Sequence, residues 1–289
     1  MASLILSLAA LSGFAAMTVI VYTLVSESIP FFREVSPGEF VLGREWSALF
    51  SEKKFGTLPL LTGTFLTASI GLLIAATLGL GSAIYLSEYA SPRLRKAVKP
   101  VLELLAGIPT VVYGYFALTM ITPFLRENVF HEMSVHNALA AGIALGIMIT
   151  PMIASISEDA LYSVPESLRH GAYALGARRY QVVFKIVVPA AMPGIIASFV
   201  LALARAVGET MIVTIAAGFR PVLTLNPLEP IQTLTAFIAQ ASTGDNPYGT
   251  IEYRSLFAVG LYLFLIVMVL NTIGLAVSRK YSSRFGGAG

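Results

Sequence analysis

The chain contains no cysteine, which removes disulfides, thiolate metal sites and cysteine nucleophiles together and leaves the redox compartment unreadable. Charge is also scarce: Asp, Glu, Lys and Arg make up 12% of the residues, where a soluble domain devotes about a quarter of its residues to them. No Gly-Lys pair occurs, so the G-x-x-x-x-G-K-S/T loop that cradles ATP phosphates is excluded. The segment HEMSVH, His131 to His136, resembles a zinc-binding helix but sets its second histidine at i+5, off the face that two ligands would share, so no metal site is expected. Nucleic-acid binding has no support either. The net charge is only +3, and topology accounts for where the basic residues fall.

Apolar residues are abundant, at 56% of 289 residues, with a mean hydropathy of +0.78. This is the composition of an integral membrane protein. Six segments reach the roughly 20 residues that a helix needs to cross a hydrocarbon core. They lie near 4–25, 58–86, 98–124, 137–156, 192–218 and 256–277. The first has no basic n-region, is too long for the core of a signal peptide and ends in SESIPFFRE, so it reads as a retained span.

Orientation follows from the basic residues. Eleven fall on one side: Arg93, Arg95, Lys96, Lys99, Arg169, Arg178, Arg179, Lys185, Arg279, Lys280 and Arg284. The opposite loops hold seven, accompanied by ten acids. Cytoplasmic loops retain lysine and arginine, which places both termini in the cytoplasm. The expected architecture is therefore all-α, a single transmembrane domain over residues 1–289, with loops 26–57 and 219–253 external and loop 157–191 cytoplasmic. Loop 26–57 carries the only tryptophan, Trp46, and reads as a folded cap or short interfacial helix. In loop 219–253, Ile231, Leu234, Phe237 and Ile238 have helical spacing. That helix either dips into the bundle or touches an external partner.

Loop 157–191 has more local structure. Ser163 and Glu166 have capping-box spacing with Pro165 between them, so a helix starts there. Gly176 ends it, since glycine adopts the left-handed conformation without steric cost. Tyr180, Val183, Phe184 and Val187 then mark a second amphipathic helix among Arg178, Arg179 and Lys185. Pro189 and Pro193 mark the turn into span five. A helix pair of this kind beside a span either docks another protein or lies on lipid.

One basic residue, Arg205, belongs to neither side, because it lies inside span five with Glu209 four residues on, in ARAVGET. A charge at bilayer depth costs from roughly 2.5 kcal/mol upward, so both residues need a partner or a watery path. At about 1.5 Å per residue from Met192, Arg205 sits roughly 20 Å into the span. An i, i+4 spacing sets the two on one helix face. The pair is either an internal ion pair that fixes packing or an anion relay, in which the guanidinium fork matches the oxygens of a phosphate. In the relay, Glu209 neutralises Arg205 between visits or accepts a hydrogen bond from a protonated anion oxygen, while Thr210 and Thr214 extend the polar surface. Pro109 should kink span three between Gly107 and Thr110 and free backbone groups to line packing or path. Glu103, one turn earlier, is expected to pair with a basic loop residue or cap a gate. Thr62, Thr64, Thr67 and Ser69 read mainly as interhelical hydrogen-bond glue.

At the loop, Gly171, Ala172, Gly176, Ile186 and Pro189 fall at the spacing of the EAA motif of ABC importer permeases, with Ala177 and Arg178 beside Gly176. Val188 replaces the usual leucine, and His170 stands where the motif has glutamate. The contact that glutamate supplies is then absent, replaced or pH-sensitive. LELLAGIPTVVYG (102–114), LTGTFLTASIGL (61–72) and RAVGETMIV (205–213) resemble the permease subunits of the phosphate-specific transport (Pst) system, the PstC type more than the PstA type. The resemblance implies a MetI-like ABC importer permease fold with a cytoplasmic coupling helix, in a bacterial plasma (inner) membrane. It implies a second, PstA-like permease, two ATPase subunits and an external phosphate-binding protein as partners. No cofactor would bind this chain itself, ATP and magnesium belonging to the ATPase. Alternatives are a permease for molybdate or sulfate, or an ion-coupled secondary carrier with Glu209 as its proton site; a carrier needs no EAA loop.

Overall fold

The computed structural model describes residues 2–285. Helices α1 (Ala2–Glu34), α3 (Leu58–Ile84), α7 (Ala138–Tyr162), α10 (Val188–Val207) and α13 (Ile251–Phe285) carry the long apolar runs. Five helical stretches are long and apolar enough to cross a membrane: Leu6–Glu34, Leu58–Tyr89, Ala138–Tyr162, Arg179–Val207 and Ile251–Lys280. A bent pair, α4 (Pro92–Ala106) followed by α5 (Thr110–Phe116) and α6 (Thr122–Asn128), is long and apolar enough only when taken together, with an angle of 86° at the break. Among the described residues no strand forms beyond a single bridge between Trp46 and Phe55.

The centre of the bundle is built on small residues. A Cβ on Gly142 would meet Ile70 Cβ at 2.7 Å, one on Gly146 would meet the Gly71 carbonyl at 2.9 Å, and one on Gly79 would meet the Thr150 carbonyl at 3.0 Å. Residue numbers rise together along both helices, so α3 and α7 run parallel with their backbones in close approach. Lipid tails give apolar side chains no reason to leave them, so close packing of small residues is what holds such helices together. Helix α10 runs antiparallel to α7, with Ser157 and Ser198 hydroxyls 2.8 Å apart and Gly194 against Ala160. It also runs antiparallel to α13, where Ser278 Oγ donates to the Pro193 carbonyl at 3.1 Å. The apolar half of α1 packs on little, and its most apolar window has no buried residue.

Pro189 and Pro193 do not turn the chain. The helix runs unbroken from Arg179 to Val207 through α9 (Arg179–Val182), a π turn at Val183–Val187 and α10. In the π turn the Val188 amide donates to the Val183 carbonyl, i to i−5. That wider turn relieves the clash a proline ring makes with the carbonyl four residues back. The same device precedes Pro123, where a π turn at Ala117–Ile121 ends with Thr122 N–H donating to Ala117.

At the end of the bundle opposite the basic loops, residues 26–57 form the folded cap. Helix α2 (Pro37–Leu42) is capped by Ser36 Oγ, which accepts from Glu39 N–H at 3.2 Å. Phe31, Phe40, Trp46 and Phe55 form an edge-to-face cluster with Phe237, and each is buried. Phe237 belongs to α12 (Leu234–Thr243), so the helix of loop 219–253 dips into the bundle. It starts at Leu234 rather than Ile231, because Thr233 Oγ1 caps it by accepting from Ala236 N–H at 3.1 Å.

Candidate functional site

Span five is broken at ARAVGET. Helix α10 ends at Val207, Gly208 and Glu209 leave the helical path, and the short α11 (Met211–Ala216) begins beyond Thr210. Arg205 and Glu209 therefore do not share a helix face, and the expected ion pair is not formed. The buried Glu209 carboxylate instead accepts, through Oε1, the Met211 and Ile212 N–H groups at 3.0 and 3.2 Å. It satisfies two of the orphan donors at the start of α11. The Glu209 carbonyl accepts from Thr235 Oγ1 at 2.7 Å, which ties the break to α12.

Arg205 lies in the last turn of α10, where the negative end of the helix dipole favours a cation. Its Nε contacts Met148 Sδ at 3.2 Å, and the residue is exposed on the surface of the chain. No carboxylate pairs with it among the described residues. The guanidinium fork is thus presented outward. Thr210 is half-buried with only a 3.4 Å contact to the Gly208 carbonyl. Thr214 Oγ1 is buried without a hydrogen-bond partner, so it does not extend an open polar surface as expected.

The kink expected at Pro109 is a full break. Gly107 N–H donates to Leu104 and Ile108 N–H to Leu105, and Tyr113 OH spans the turn to the Leu105 carbonyl at 2.9 Å. Gly107 and Pro109 are exposed and Thr110 half-buried. No hydrogen bond or ion pair joins this turn to Arg205 among the described residues. The two breaks are linked instead by packing, since Gly114 lets α5 approach Ile212 and Ile215 of α11 so closely that a Cβ at 114 would lie 3.2 Å from atoms of each. Thr64 is glue as expected, donating to Leu60 and accepting Leu234 N–H at 3.0 Å, whereas Ser69 is exposed.

At the basic end, α8 (Glu166–Ala174) closes as the sequence indicates. Gly176 has φ +80, its N–H donates to Tyr173 at 2.9 Å, and Ala177 N–H donates to Ala172 at 3.1 Å. This pair of bonds is the Schellman closure. The start differs from expectation: Pro165 occupies the cap position and Ser163 Oγ turns back to the Ala160 carbonyl, because Ser163 still closes α7. His170 and Gly171 are exposed, and His170 Nε2 lies 3.9 Å from Glu166 within its own helix. Ala172 is buried, Ala177 half-buried and Arg178 exposed with its N–H on Gln181 Oε1 at 2.8 Å. The π turn splits the predicted apolar stripe: Val183 and Val187 point inward, while Tyr180 and Phe184 join Leu175 outside. Leu175 is 90% exposed.

Several ion pairs were not legible in the sequence. Arg169 reaches Glu88, Arg95 reaches Glu158 at 2.5 Å, and Lys99 pairs with Glu158 and Asp159. The signal available was five acids, Glu88, Glu103, Glu158, Asp159 and Glu166, among the basic residues of that side. Glu103 itself is exposed on α4 and forms no ion pair among the described residues, while Arg95 and Lys99 of the same helix turn to α7.

Residues 75–285 match the family model of binding-protein-dependent transport system inner membrane components. The chain belongs to that family. As a permease of this kind it is 41% identical to a probable ABC transporter permease protein, YqgH, of Bacillus subtilis over 86% of this chain and 79% of the relative. It is 35% identical to the phosphate transport system permease protein PstC of Mesorhizobium japonicum over 86% of this chain and 80% of that one. Solved importer permeases share the fold: a subunit of the MetNI methionine ABC transporter (TM-score 0.58, 23% identity, 78% of this chain and 94% of that one) and one of a bacterial alginate ABC transporter (0.64, 15%, 99% and 96%). Membership of a binding-protein-dependent family leaves no reason to read the chain as an ion-coupled secondary carrier.

Proposed function

We propose that this permease is the PstC-type transmembrane subunit of an ATP-driven importer of inorganic phosphate, working as one domain over residues 1–289. Similarity to PstC proteins over more than four-fifths of the chain carries this reading. The basic end, with both termini and loop 157–191, faces the cytoplasm of a bacterial cell, and the aromatic cap faces outward. The partners are a second, PstA-like permease, two ATPase subunits that bind ATP and magnesium, and an external phosphate-binding protein. The chain hydrolyses nothing itself. Its outward apolar residues around Gly176, with Leu175 foremost, form the ATPase docking face.

Arg205 is the anion contact. Its guanidinium offers paired donors to phosphate oxygens. With Glu209 engaged at α11, the fork is available to the anion rather than to an internal carboxylate. In proteoliposomes holding the whole complex, Arg205→Ala should lower phosphate uptake at least about tenfold while assembly persists, the loss expected for one charge-assisted contact. Uptake that survives the substitution in the assembled complex would end this assignment. Phosphate should stimulate ATP hydrolysis and sulfate should not; equal stimulation by both points to a broader oxyanion permease.

A further inference from the structure

Helix α8 has little hold on the bundle, since Ala172 is its only buried residue. A stiff polar contact supplies the rest. Arg169 Nη2 donates to Glu88 Oε1 at 2.9 Å and to the Leu161 carbonyl at 2.9 Å, while Nη1 donates to the Val164 carbonyl. The guanidinium side chain is 16% exposed and the Glu88 carboxylate 7%. Glu88 belongs to the π turn Tyr85–Tyr89 that ends α3, and Leu161 lies at the end of α7. One side chain on α8 is therefore fastened to the ends of the two helices that form the small-residue centre of the bundle. The second docking helix reaches the same turn, because Arg179 donates to the Glu88 carbonyl and lies over the Tyr89 ring at 4.8 Å.

Geometry makes this a stiff link. A planar fork held by a carboxylate and two carbonyls fixes direction as well as distance, whereas apolar contact at Ala172 is non-directional. Lysine, a point charge on a flexible stem, does not offer the three acceptors the same fixed fork. We propose that Arg169 is the positioning residue that transmits displacement of the docking helix to α3 and α7, with Glu88 as its counter-ion. The proposal rests on the reading of α8 as an ATPase docking element.

The test uses the full complex in proteoliposomes and reads phosphate taken up per ATP hydrolysed. Arg169→Ala should retain basal ATP hydrolysis while uptake per ATP falls between about 5-fold and 150-fold, the range of ordinary coupling energies. Glu88→Gln, which keeps the shape and removes the charge, and Arg169→Lys should each lower the ratio several-fold. Leu175→Cys, cross-linked to the ATPase subunit in each background, reports docking separately. Absence of that cross-link in the otherwise native complex would overturn the docking reading itself. A retained cross-link with an unchanged ratio in the Arg169 variants would overturn the role of Arg169 alone. If Arg169→Ala fails to assemble, unchanged ratios in both Glu88→Gln and Arg169→Lys have the same force.

Discussion

Glu209 shows how little a residue's spacing says about its partner once a helix breaks. Four residues after Arg205 it would share a face with that arginine on a continuous helix; beyond Gly208 its carboxylate turns to the N–H groups of Met211 and Ile212. Glu209→Ala should therefore destabilise the permease by about 1–2 kcal/mol, the cost of losing a helix cap. Glu209→Gln retains an acceptor oxygen and should cost less than half as much. Thermal unfolding in detergent measures both, and a Glu209→Ala variant that melts with the native protein would remove the capping role. His170 carries less. Its 3.9 Å approach to Glu166 is solvent-exposed on both sides, and such pairs contribute little.

Among the helices, the close approach of α3 and α7 depends on glycines whose spacing, Gly142 and Gly146, is the small-x-x-x-small pattern of membrane interfaces. Leucine at 146 has nowhere to go between the Gly71 carbonyl and Ile74. Gly146→Leu should cost at least about 1–3 kcal/mol by overpacking, whereas Gly81→Ala, with nothing within 4 Å of its Cβ, should leave the melting temperature unchanged or raise it. Equal melting of the two variants would contradict the packing described. The prolines were legible only in part. Pro109, where a kink was expected, marks a full break, since its ring and missing N–H disrupt the preceding turn, but Pro189 and Pro193 are absorbed into a helix. A π turn, a local choice of hydrogen-bond partner, decides between the two outcomes.

The permease as a whole is an incomplete object. An exposed Arg205 at the end of an apolar helix, an apolar α1 without buried residues in its most apolar stretch, and Leu175 at 90% exposure all present surfaces that other chains or lipid must meet. Leu175→Asp should leave the stability of the isolated permease within about 0.5 kcal/mol, as for exposed positions in general. It should lower co-purification of the ATPase subunit about tenfold or more, as loss of a central anchor does. Undiminished co-purification would place the docking face elsewhere.

Length, apolar runs and the distribution of lysine and arginine were enough to give five straight spans and the place of a sixth apolar segment, a basic end and an arginine out of place, because transfer free energies add along a chain and need no tertiary contact. Gly176 was equally legible, since its left-handed turn is set by neighbours within six residues. Tertiary structure alone decided the polar partners. Arg169 finds Glu88 from 81 residues away, and Lys99 finds Asp159 from 60. Sequence spacing holds no information about such meetings, because they arise only when packing brings helix ends together and burial makes every unpaired charge seek the nearest acceptor.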